Sequence, residues 1–185
     1  MKMSAICIVP PALLAVDLSL IKKNMRIDDD HMDDLIELWA DGVIADLESK
    51  IGQRLMPQTW RITLDSFQHL ANLPHPATSV VSLKYTDAYG VERFLDDGQF
   101  TLIRAECYSQ LVPTGAWPLT RPGAAAVVID VVCGMASSPA DVPANMQLYI
   151  LAKLVEQFDP QTRTERDTVQ STFITRLLDA CKTYA

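Results

Sequence analysis

Apolar and polar positions follow two different periods along this chain, and the change of period divides it into three stretches. Met32, Leu35, Ile36, Trp39, Val43, Leu47 and Ile51 recur three or four apart, which places them on one face of an α-helix. That face is expected to be buried. A shorter helix is predicted over residues 12–24, ahead of the Arg26-Ile27 link. Asp29 or Asp30 is placed to cap the second helix, with Asp33 and Asp34 in a first turn whose free N–H groups favour negative charge. Gly52 is the expected stop.

From residue 60 to 135 the helical period gives way to alternation. Residues 58–64, 80–86, 91–95, 100–103 and 126–133 read as short strands, and Asp87-Ala88-Tyr89-Gly90 as a hairpin turn with glycine at its last position. Pro74, Pro76, Pro113, Pro118 and Pro122 fall between these runs as loop punctuation. Short strands with short connections imply a small antiparallel sheet. Helical spacing returns after Pro139, with Pro143 suited to a first turn and Leu148, Leu151, Ala152 and Val155 as the apolar positions. A last helix is expected from a capping box at Thr164 and Asp167, with Val169, Phe173, Leu177, Ala180 and Tyr184 as its stripe. The expected fold class is α+β, with a helical core from both ends of a single domain (residues 1–56 and 139–185) and a small antiparallel sheet inserted at 57–138.

Composition supports a folded chain and relocates the interest to one helix. Of 185 residues, 49% are apolar and 21% charged, far from the signature of disorder. The net charge of −7 opposes free-standing nucleic-acid binding, which needs clustered Lys and Arg. Residues 26–50 hold nine acidic and two basic side chains, so this one stretch accounts for the net charge of the whole chain. Asp30, Asp34, Glu37, Asp41 and Glu48 fall opposite the predicted apolar face, with like charges four apart that cost about 0.2–0.5 kcal/mol a pair. The plain interpretation is an acidic solvated surface.

Chemistry is sparse. The run from Asp28 to Asp34 fails calcium-loop spacing, since no register supplies alternating oxygens, a sixth-position glycine and a twelfth-position Glu. His31, His69 and His75 stand near no nucleophile motif, and His69 and His75 read as exposed loop residues. No phosphate-cradling glycine motif occurs. Cys7, Cys107, Cys133 and Cys181 are far apart and read as reduced thiols of a cytoplasmic compartment. The apolar run at residues 5–14 is too short for a bilayer and lacks a cleavage site fitting a signal peptide. Trp39 reads as core, and Trp117, in a Gly-Pro-flanked loop, as a partner anchor.

Several segments also stand in a recognisable order. Leu20-Ile21-Lys22-Lys23 and Arg26-Ile27-Asp28-Asp29 precede the long helix, and Gly52-Gln53-Arg54-Leu55-Met56-Pro57-Gln58-Thr59-Trp60 ends it. Then come residues 80–85, Thr86-Asp87-Ala88-Tyr89-Gly90-Val91, Ala116-Trp117-Pro118, residues 127–134, and Asp141-Val142-Pro143 opening the next helix. This order and spacing, over residues 18–158, resembles the head-tail connector, or adaptor, proteins of long-tailed bacteriophages and related prophages.

The resemblance implies a structural virion protein, made in the host cytoplasm, that forms a homo-oligomeric, commonly dodecameric ring beneath the portal protein. Such a ring extends the DNA channel and docks a tail or stopper protein. Double-stranded DNA passes without specific binding, and no membrane, cofactor, metal or catalytic residue is implied. Asp30, Asp34, Glu37 and Asp41 become candidates for lining the channel, where repeated negative charge repels phosphate, or for contacts with basic residues of a neighbouring subunit. Trp117 and, in the C-terminal region, Arg163, Arg166, Phe173, Arg176 and Lys182 become candidates for portal or other partner contacts, although residues 159–185 depart from the family arrangement. The alternatives are another tail-completion or stopper protein, or an enzyme or accessory subunit with an unrecognised site.

Overall fold

The structure is a computed structural model that describes residues 4–70, 73–123, 125–158 and 176. The fold is α+β, and the chain divides into two compact units. Among the described residues, one unit takes residues 4–12 and 57–135, and the other 13–56 and 136–158.

The second of these units is helical. Helix α1 (Leu18–Met25) buries Ile21 and Met25 and closes on Arg26, which adopts a left-handed conformation at φ 59°. Helix α2 (Asp33–Ile51) starts at Asp33 with no side-chain cap. The expected caps are occupied elsewhere: Asp30 is ion-paired with Lys22, and the Asp29 carboxylate lies against His31 Nδ1. Gly52 ends α2 as expected, at φ 71°, its N–H donating to the Glu48 carbonyl at 3.0 Å.

The buried stripe of α2 is Ile36, Ala40, Ile44, Leu47 and Ile51. This corrects the predicted face by about a sixth of a turn: Ile36, Leu47 and Ile51 are buried as expected, but Leu35 is exposed, as is Leu38, and Trp39 and Val43 are only half-buried. Apolar residues occur nearly all round this helix, so spacing alone leaves its phase open. Trp39, read as core, instead sets its ring edge-on to Phe158 at 6.3 Å. Helix α3 (Ala144–Phe158) shows the same kind of correction, burying Met146, Tyr149, Ile150, Leu151 and Leu154 and exposing Leu148. The carbonyl of Pro143 accepts its first helical bonds from Met146 and Gln147, at 2.9 and 3.1 Å.

The other unit is built on antiparallel strands. In chain order these are β1 (Ser4–Val9), β2 (Gln58–Leu64), β3 (Ala77–Thr86), β4 (Glu92–Phe94), β5 (Phe100–Arg104), β6 (Ser109–Pro113) and β7 (Val127–Cys133). The main sheet has the order β1-β2-β7-β3-β4, and β5 and β6 form a separate hairpin. Alternation on β2 and β7 turns Ile62, Leu64, Val127, Ile129 and Val131 into a common core with Phe67, Leu83, Phe100 and Leu111. Burying one such side chain contributes about 1.5–3 kcal/mol.

Two strands depart from the predicted pattern. Ser4–Val9, whose apolar run shows no alternation, pairs antiparallel with β2 as an edge strand. Pro113 belongs to the end of β6 and not to a loop, a position where a missing N–H costs nothing.

Candidate functional site

Lys22 on α1 organises the approach to the acidic helix. Its ammonium pairs with Asp30 and lies 2.8 Å from Asp33 Oδ1. The hydrogen bond with Asp30 raises the Lys22 pKa above its ordinary value and lowers that of Asp30. Asp30 is therefore committed within its own unit. Further along α2 the situation differs: Asp34, Glu37 and Asp41 are exposed, and among the described residues none has a cation within ion-pair distance. They share a stripe with Leu38, which is 67% exposed, and with Leu35 beside it.

Glu48 leaves the acidic face altogether. It is buried, with Oε1 accepting the Leu55 N–H at 2.7 Å and Oε2 facing Arg54 Nη1 at 3.2 Å. Leu55 and Met56 are then fully buried, and the Leu55 carbonyl accepts the Ala136 N–H at 3.0 Å. Placing Glu48 among the solvated acids is thus corrected: it holds the Gly52 to Pro57 corner. The signal available in sequence is its position four residues before a helix-ending glycine, within reach of the N–H groups of the following turn.

Beside the acidic stripe, α2 and α3 bound a groove of about 430 Å³ whose apolar wall is Leu38, Trp39 and Val43. Its other walls are neutralised by the pairs Lys50–Asp46 at 2.6 Å and Lys153–Glu156 at 2.7 Å, and Lys50 also donates to the Tyr149 hydroxyl at 2.9 Å. The hydrogen bond to Asp46 leads the causes that raise the Lys50 pKa.

The face of the sheet turned away from the core carries charge in matched pairs. Arg61 holds Asp130 through two contacts of 2.8 Å, and Ser82 donates to the same carboxylate at 3.4 Å. Arg61 holds the Asp130 carboxyl below the usual range. Lys84 pairs with Glu92 at 3.2 Å and lies 4.9 Å from the centre of the Phe94 ring. At the hairpin, Asp87 accepts the N–H groups of Tyr89 and Val91 at 2.9 and 3.0 Å and the Arg93 Nε at 2.6 Å, the last being the main cause of its lowered pKa. Gly90, at φ 84°, completes that turn.

One arrangement has the outline of a nucleophile and base. His75 Nδ1 lies 2.9 Å from Ser109 Oγ, and Nε2 lies 3.1 Å from the Glu106 carbonyl. The carbonyl requires the proton on Nε2, so Ser109 donates to Nδ1 while accepting the Ala77 N–H at 2.9 Å. Ser109 is wholly inaccessible, so it is not an attacking group: it ties the start of β3, and His75 just ahead of it, to β6. His75 is thereby buried, correcting its expected exposure, and burial lowers its pKa. Its partner lies 34 residues away, a distance at which spacing carries no signal.

Of the expected partner-binding residues, Trp117 is half-buried and stacks on Phe67, with ring centres 4.6 Å apart and planes 2° from parallel. Arg176 is helical and exposed. Arg163, Arg166, Phe173 and Lys182 lie outside the described residues, as does the expected capping box at Thr164.

No protein-family model and no curated protein matches the sequence. Solved structures do share its fold. A chain from the virion of a native gene transfer agent particle aligns with a TM-score of 0.78 at 18% identity, covering 100% of this chain and 97% of that one. A chain from the neck of a native particle of this kind, computed with C12 symmetry, gives 0.71 at 21% identity over 100% and 97%. Another, from the neck of an empty particle computed with C6 symmetry, gives 0.69 at 19% identity over 85% and 84%.

Proposed function

We propose that this chain is a structural component of the neck of a phage-like particle, serving as a ring adaptor between the portal and the tail or stopper and extending the DNA channel. The observation that carries this reading is a shared fold over the whole chain, both units included, with a chain of a gene transfer agent virion. The six- and twelve-fold symmetry of the related necks supports repetition of the fold around an axis. Head-to-tail contacts between identical copies close such a ring when the rotation between neighbours closes.

In this reading the work is mechanical and electrostatic, with no catalytic step. The chain is made in the host cytoplasm and reaches the particle at the head-tail junction, where its ring, dodecameric by analogy with the C12 neck, lets double-stranded DNA pass. A net charge of −7 per copy disfavours retention of phosphate on the channel wall. Portal and other partner contacts fall to Trp117 and to Arg163, Arg166, Phe173, Arg176 and Lys182.

The test is to mix the purified chain with portal-bearing capsids and image the product by electron microscopy. A coaxial ring directly beneath the portal is expected. A ring that sits further down the neck makes the chain a stopper or tail-completion protein instead. Absence of any ring under assembly-competent conditions overturns the reading.

A further inference from the structure

We infer that the exposed stripe of α2 is one half of a contact between copies of this chain, and that α1 of the neighbouring copy supplies the other half. The α2 stripe alternates acid with hydrocarbon: Asp34, Leu38 and Asp41 run along its centre, flanked by Glu37 and Leu35. Gly42 adds no bulk, and a Cβ built there meets nothing within 4 Å. Within the same molecule these carboxylates find no cation at ion-pair distance among the described residues.

Helix α1 offers the complement. Leu20 is 40% exposed, and Lys23, one turn on, and Arg26, at the helix end, are both exposed. Neither cation has a carboxylate within ion-pair distance among the described residues, whereas Lys22 beside them has two. The helical unit therefore carries one acidic-apolar stripe and one basic-apolar stripe, each with its charges unspent. Two different, complementary patches on one chain make a heterologous contact, the kind that closes rings. Opposite potentials set its register, and the leucines supply apolar area.

The leucines also separate the two uses open to this acidic helix. A wall that only repels phosphate draws nothing from Leu38 at two-thirds exposure, while a contact buries it and relieves the repulsion between Glu37 and Asp41. This inference deepens the ring reading and rests on it for the closure of the contact into a cycle.

Charge reversal in both directions tests it. Sedimentation velocity on the full chain, over a concentration series at low and high salt, is expected to show self-association that weakens with salt. Lys23→Glu with Arg26→Glu, and separately Glu37→Lys with Asp41→Lys, each place like charges across the contact and weaken association by about tenfold or more. Leu38→Glu does the same. An equimolar mixture of the two reversed variants restores association, because each contact in an alternating assembly again joins opposite charges. All these positions are exposed, and unchanged thermal melts establish that the variants fold.

Reversed variants that associate as the wild type does, a mixture no better than its components, or a wild-type chain that stays monomeric throughout would each overturn the contact. The ring reading fails separately, on portal-bearing capsids. A wild-type ring there that the reversals leave intact removes this contact alone, and no wild-type ring at all removes the reading.

Discussion

On the sheet, Arg61, Lys84 and Arg93 each stand within ion-pair distance of a carboxylate, whereas on the exposed face of α2 the carboxylates of Asp34, Glu37 and Asp41 stand with no cation that close among the described residues. The hydrocarbon divides less sharply, since Ile6, Val81 and Phe94 of the sheet are nearly as exposed as Leu38. Alternation on β2 and β7 sends Ile62, Leu64, Ile129 and Val131 inward to full burial, while α2 leaves Leu35 and Leu38 in solvent. The main sheet spends its charge on itself, and α2 holds its carboxylates in reserve beside two exposed leucines. That contrast separates residues that make the fold from residues available to a partner, and substitutions can measure it.

The largest effect belongs to the sheet core. Ile129→Ala removes a fully buried side chain from the central strand and is expected to cost about 2–5 kcal/mol in urea denaturation. Leu38→Ala, an equally apolar truncation, is expected to change stability by no more than about 0.5 kcal/mol while weakening association. Equal losses from the two would erase the distinction.

A second contrast lies within α2 itself. Glu48→Ala strips the buried Leu55 N–H of its acceptor and removes the carboxylate that faces Arg54 Nη1, for an expected loss of about 1–3 kcal/mol. Glu37→Ala, on the exposed stripe, leaves the melt nearly unchanged. A thermal scan of the two variants side by side decides whether Glu48 belongs to the corner or to the acidic face.

The third concerns the paired charges of the sheet. Asp130→Asn is expected to cost about 1 kcal/mol at neutral pH, a modest figure because Arg61 is half-exposed and solvent screens the pair. Arg61 lowers the folded-state pKa of Asp130, so the unfolded chain takes up this proton first as pH falls. The advantage of wild type over the variant is therefore full above about pH 4, the unfolded value, and disappears as pH falls through the lower folded one. Urea midpoints at neutral pH and near pH 2.5 check this, and an advantage that survives acid would show that Asp130 acts by shape and not charge.

Legibility in the sequence follows the same division. Strands β2 and β7 and the Asp87 to Gly90 turn are readable because one face of each strand is consistently buried, Ile62 and Leu64 on β2 and Val127, Ile129 and Val131 on β7. The existence of α2 and its Gly52 stop are equally readable, but its phase is not. Its buried stripe includes the small Ala40, while the larger Leu35 and Leu38 are outside. A helix with apolar side chains nearly all round has a second face to account for, so the error in phase marks the surface now assigned to a neighbour. Strand β1 escapes because none of its residues is buried, so neither face imposes alternation, and the His75–Ser109 tie because its halves are remote in sequence.

The smallest effect is the most discriminating, because stability and assembly should move in opposite directions. Glu37 lies four residues from both Asp33 and Asp41 and three from Asp34, so Glu37→Gln removes like-charge repulsion along the helix. Each relieved pair is worth about 0.2–0.5 kcal/mol at low salt, and the melting temperature is expected to rise slightly, an increase that added salt abolishes. A solvated acidic face predicts that gain and nothing more. A contact surface predicts the gain together with weaker self-association, since the neighbour's Lys23 and Arg26 lose a carboxylate. Raised stability with unchanged association would return Glu37 to the role of a solubilising charge and leave Leu38 to carry the contact by itself.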